Sequence, residues 1–177
     1  MPRAVPRLDA ADPARSGELL VLPRTNRELD DSIKRARGIV MRRAAVASVA
    51  SLVPLPGLDI AVDIAAVMRL IPEINLEFGL TPDQISRLSP GRQILVYKSI
   101  VAVGSVLIGK LVTQEIAIEV LKAVGMRLTA KQIGKYVPIA GQAFSVALGF
   151  AAMRYVGLQH IQDCQRVIES TLAGTKA

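Results

Sequence analysis

TPDQISRLSPGRQILVYKSIVAVGSVLIGKL, Thr81 to Leu111, decides the fold, because it can be read either as a helical segment or as a strand, phosphate loop and helix. GSVLIGKL, Gly104 to Leu111, is one residue short of GxxxxGK[ST]. That motif needs a hydroxyl after the lysine to hold Mg²⁺, and here Leu111 follows Lys110, with Thr113 two places too late. Phosphate cradling also needs a preceding strand and backbone N–H groups curled at a helix start. No strand boundary precedes Gly104, so the run Ile94 to Val112 reads as the interior of one long helix. Its glycines, five apart, are expected to let another helix approach closely.

Helix signals continue outward from this stretch. TPDQ at Thr81 opens with a capping box and a proline at the first helical position, and SPGRQ at Ser89 repeats the cap and proline without the full box. TNRE at Thr25 and TAKQ at Thr129 are further capping boxes, while Gly79 and Gly125 stand where helix ends favour a left-handed residue. Helices are expected near 26–52, 58–78 with a bend at Pro72, 82–88, 90–124, 130–136 and 142–172. No run combines the alternation and turn chemistry of a strand.

VPLPG at Val53 leads into an apolar helix reaching Arg69, and VPIAG at Val137 leads into one reaching Arg154, with spacings that differ by one residue. This repeat predicts two hairpins, each a helix, a corner and a second helix, turning at Pro54, Pro56 and Gly57 and at Pro138 and Gly141. The fold class is therefore all-α, a bundle of about six helices. Residues 25–173 form the single domain, between a flexible Pro- and Arg-rich arm over 1–24 and a short tail over 174–177. The arm holds four of the ten prolines and lacks the apolar content to order itself.

With 177 residues, 51% of them hydrophobic, no Trp and three each of Phe and Tyr, the core must be built from small aliphatic side chains in close contact. Ala143, Ala147 and Ala151 recur every four residues and form the expected packing seam. Net charge is +7, from 22 basic and 15 acidic residues, which favours an anionic partner. One cysteine excludes an internal disulfide and suits a reducing compartment. MPRAVPRLDAADPAR has no apolar core run and so does not read as a secretory signal; a cytoplasmic setting follows.

The chemistry-bearing residues point away from catalysis. Asp59 and Asp63 share a helix face but have no histidine or metal-ligand set beside them; Glu73 with Glu77 and Glu115 with Glu119 repeat the spacing. Acids in first turns complement the helix dipole. His160, Asp163 and Cys164 could face one metal, yet they are the chain's sole His and Cys with one acid, and a fourth ligand would have to come from elsewhere. No catalytic residue, metal site or cofactor is expected.

KRARGIVMRR places Lys34, Arg35, Arg37, Arg42 and Arg43 directly before an uncharged run, Ala44 to Leu58. Nucleic-acid binding would call for interleaved aromatics or a reading helix, and neither is present. A basic flank beside an apolar hairpin suits an anionic bilayer, at ~1 kcal/mol per charge near the surface. Tyr136 to Met153 is uncharged over 18 residues, at the lower edge of the ~17–25 a span requires, but Pro138, Gly141 and Gln142 interrupt it.

VPLPGLDIAVDIAAV, then EFGL at Glu77, then KYVPIAGQAFSVALGFAAM resemble, in order and spacing, the helical domain that follows the nucleotide-binding domain of immunity-related GTPases, and its bacterial relatives of unknown function. The resemblance covers Lys34 to Arg166. It implies an all-helical, often membrane-associated module. In longer relatives that module accompanies a GTPase; here helices are expected from residue 26 without a GTPase domain, so such a partner would act in trans. The sequence thus favours a non-enzymatic interaction module at the inner face of the membrane, its basic face toward anionic lipid. A soluble scaffold that forms homo-oligomers or docks a GTPase is the second reading, and a pore-forming or inserting effector the third.

Overall fold

The computed structural model describes residues 22–50, 58–132 and 141–174, and every regular element among them is a helix. In chain order these are α1 (Asn26–Ala50), α2 (Leu58–Glu77), α3 (Pro82–Ser86), α4 (Pro90–Val103), α5 (Gln114–Gln132) and α6 (Gly141–Gly174). The corner residues Pro54, Pro56, Gly57 and Pro138 lie outside the described residues, and Gly141 is the first residue of α6.

α6 is the hub, packing against α1, α2, α4 and α5. Its sequence explains why: Met153, Val156, His160, Ile161, Cys164, Val167, Ile168 and Thr171 recur at three- and four-residue steps and are all buried. α1 answers with Leu29, Ile33, Ala36, Val40 and Ala44, and α2 with Val67, Leu70, Ile71, Ile74 and Phe78. The closest approach is at Gly157, where a Cβ would sit 2.5 Å from Val40 Cγ2. Glycine is the residue that lets α1 and α6 meet there.

Local signals place several boundaries. The Thr81 capping box forms, its hydroxyl accepting from the Gln84 N–H while the Gln84 side chain accepts from the Thr81 N–H. Thr25 also accepts from the Glu28 N–H at 3.2 Å, but Glu28 returns its carboxylate to the N–H of Arg24 instead of Thr25. Ser89 caps α4 without a side-chain bond, as its incomplete box predicts. α2 ends at Gly79, φ 69°, with the N–H groups of Gly79 and Leu80 donating to the carbonyls of Leu76 and Asn75. These two bonds make a Schellman stop.

Two boundaries differ from the sequence reading. The single helix expected over 90–124 is broken: α4 stops at Gly104, φ 73°, whose N–H donates to the carbonyls of Ile100 and Val101. A nine-residue loop follows, with a second left-handed glycine at Gly109, φ 70°. The glycines that looked like helix-packing residues are turn formers. Conversely, Gly125 does not stop a helix, and the TAKQ box at Thr129 does not start one; both lie inside α5. Helical propensity on each side of Gly125 outweighs its cost of about 1 kcal/mol.

Candidate functional site

The five cations expected to face lipid, Lys34, Arg35, Arg37, Arg42 and Arg43, all lie on α1 and divide by task. Arg35 reaches α2, its Nε donating to Glu77 Oε2 at 2.7 Å, while its Nη2 donates to Ser32 Oγ at 3.1 Å. The Glu77 side chain is only 7% exposed. Arg43 grips both carboxylate oxygens of Glu73, with Nε to Oε2 at 3.0 Å, and this hydrogen bond raises the Arg43 pKa. Lys34 pairs at 3.5 Å with Asp31, one turn earlier on the same helix. Of these five, Arg37 and Arg42 are exposed with no ion pair among the described residues. Glu73 and Glu77, four apart on α2, are thus the sockets for α1, and two of the expected lipid-facing cations tie helices together.

A second surface has a different makeup. α4 buries Val96, Ser99 and Ile100 on the side that meets α6 and turns Ile94, Tyr97 and Val101 outward. These three stand at i, i+3 and i+7 and share a face. Val101 is 80% exposed, and the loop beyond α4 adds Val106 at 63% and Leu111 at 80%. Between Asp83 and Glu115 the chain has no acid, while Arg87, Arg92, Lys98 and Lys110 supply four cations. None of the four has an ion pair among the described residues.

The same loop settles the geometry of GSVLIGKL. It joins two helices, with α4 where a phosphate loop has its strand. Ile108 is buried and anchors it, and Gly109 sits against Ile85 and Ile100, so the loop is part of the core's edge. Lys110 is exposed.

The third arrangement is buried. Asn75 on α2 meets His160 and Cys164 on α6: Asn75 Oδ1 lies 2.9 Å from His160 Nε2 and 3.7 Å from Cys164 Sγ. Asn75 Nδ2 donates to the Leu107 carbonyl at 3.0 Å, tying the loop after α4 into the same network. Burial lowers the His160 pKa to about 3 and raises that of Cys164 well above its usual value, Asp163 adding to the latter. A neutral imidazole and a protonated thiol make a structural clasp, not a nucleophile and base. Asp163 does not join them; its carboxylate accepts from Arg166 at 3.0 Å, and burial raises its pKa. Among the described residues no group of three His, Cys, Asp or Glu could hold a metal ion.

The expected alanine seam lies differently from the hub contacts of α6. Ala147 and Ala151 are exposed, and the side chain of Ala143 lies outside those described, as do those of Asp59 and Asp63. Among the described residues no helix is long and apolar enough to cross a membrane. Sequence reasoning missed the α4 surface because Ile94, Tyr97 and Val101 have the same spacing as a core stripe; the absence of acids from Gln84 to Gln114 was the available signal. Comparison with models of protein families, with curated proteins and with solved structures gives no match.

Proposed function

We propose that this protein is a non-enzymatic helical module that docks on the surface of an anionic membrane. One observation carries the reading: Ile94, Tyr97, Val101, Val106 and Leu111 are exposed within a segment whose only charges are the four cations Arg87, Arg92, Lys98 and Lys110. Apolar side chains entering the acyl boundary while basic ones meet headgroups is the chemistry of an interfacial helix. Tyrosine suits the headgroup level. On α1, Arg37 and Arg42 beside exposed Met41 and Val46 offer a secondary contact of the same kind. The two-hairpin plan, the kinship with the helical domain of immunity-related GTPases and a place at the inner face of the membrane belong to this proposal.

Vesicle flotation tests it. The protein is expected to float with vesicles of phosphatidylcholine and phosphatidylglycerol, to float poorly with phosphatidylcholine alone, and to be released by salt or by a carbonate wash. Failure to float with either composition overturns the reading in favour of a scaffold that self-associates through exposed Ala147 and Ala151 or docks a GTPase. Retention through the carbonate wash would instead mean insertion.

A further inference from the structure

A cavity of about 150 Å³ lies between α5 and α6, beside the buried clasp. Leu107, Val120, Val124 and Val156 give it apolar walls; Tyr155, Gln159, His160 and Asp163 are its polar lining. The hydrogen bonds around Asn75 fix the proton on His160. Because Asn75 Nδ2 donates to the Leu107 carbonyl, the atom facing His160 Nε2 is the amide oxygen. An amide oxygen only accepts, so Nε2 carries the hydrogen and Nδ1 is a bare acceptor. Nδ1 is buried and has no hydrogen-bond partner from the protein. The Asp163 carboxylate is also an acceptor, already engaged by Arg166 on its Oδ1 and by the Gln159 side chain.

The buried polar atom of this lining that lacks a partner among the described residues is the acceptor His160 Nδ1, and a ligand that donates would satisfy it. A cavity of about this volume, lined by aliphatic side chains, is large enough for benzene. We propose that the cavity binds a small molecule with an apolar body of benzene size and one hydrogen-bond donor, a hydroxyl or an ammonium, seated on His160 Nδ1. Leaving that nitrogen unpaired against an apolar ligand has a cost, so the donor decides affinity. This site is independent of the membrane surface on α4.

His160 is the chain's one histidine, so a long-range ¹H–¹⁵N spectrum of the labelled full chain reports a single imidazole. The free protein is expected to show a protonated Nε2 and a bare Nδ1. Titration with benzyl alcohol or benzylamine should move the Nδ1 resonance toward that of a hydrogen-bonded nitrogen, and the tighter of the two names the head group. Toluene, the same body without a donor, should bind about tenfold more weakly or worse and leave Nδ1 in place. Val120→Phe fills the cavity from its wall and should abolish binding of both donors. Should that variant fail to fold, Ala123→Phe on the exposed rim serves the same purpose. The proposal is overturned if neither donor moves Nδ1, if toluene binds as tightly as both, or if the filled cavity still binds.

Discussion

Arg35 and Arg43 on α1 reach across to Glu77 and Glu73 on α2, whereas Arg87, Arg92, Lys98 and Lys110 on and around α4 have no ion pair among the described residues. Both regions look basic. In the first, however, the charge density conceals ion pairs that fasten one helix to another, and most of the apolar residues point inward, Met41 and Val46 excepted. In the second, the cations have no ion pair among the described residues and flank in sequence Ile94, Tyr97 and Val101, which point outward. A run of like charges therefore says little about a working surface until the acids that face it in space are counted.

The largest effect expected from breaking this contrast is on the apolar side of α4. Val101→Asp with Leu111→Asp removes two highly exposed side chains, each worth about 1.5–3 kcal/mol when buried in a lipid surface. Affinity for anionic vesicles should fall more than about a hundredfold, while unfolding stability stays within about 0.5 kcal/mol, as for surface changes away from packing. A large fall in stability would mean that these residues already have a protein partner.

Next comes the α1 side. Arg35→Ala leaves the nearly buried Glu77 carboxylate without its cation. Removing one partner of a buried pair costs ~3–5 kcal/mol; because the Arg35 side chain is 39% exposed, about 2 kcal/mol is expected in urea unfolding. Vesicle binding by the folded variant should be unchanged. Loss of binding without loss of stability would reverse the roles assigned to the two regions.

Acid sharpens the contrast, because the surface cations keep their charge while the interior does not tolerate a proton. His160 has its pKa lowered to about 3 in the fold, against about 6.5 when unfolded. Between those values the unfolded chain binds a proton that the native one refuses, so stability is full above about pH 6.5 and is lost as pH falls toward 3. The slope contributed by this group is about 1.4 kcal/mol per pH unit. Thermal unfolding from pH 7 to 5 should show it, and His160→Gln should flatten it.

How much of this was legible depends on how local the cause is. The capping box at Thr81 and the stop at Gly79 involve residues within five positions of one another, and the sequence reading locates both. Gly104 is different: in an uninterrupted apolar run a glycine can lie in a helix or end it, and its left-handed conformation depends on the loop that Ile108 anchors in the core. Gly125 is the converse case. The clasp joins Asn75 to His160 across 85 positions, so the spacing of His160, Asp163 and Cys164 on one helix could suggest a shared face but not their common partner on α2. Likewise, the 42 positions between Arg35 and Glu77 hid the ion pair that gives α1 its structural task.

The central claim is that unpaired cations beside an outward apolar face, and not net charge, define the working surface. Two variants of equal charge test it directly: Lys98→Gln with Lys110→Gln on the α4 side, and Arg37→Gln with Arg42→Gln on α1. Flotation with phosphatidylglycerol-containing vesicles at physiological salt, where screening acts over about 8 Å, should show the α4 pair weakened by up to about thirtyfold, given ~1 kcal/mol for each of the two charges. The α1 pair, at a secondary contact, should lose markedly less. Equal losses in the two variants would show that overall charge governs binding, and a greater loss on α1 would contradict the account outright.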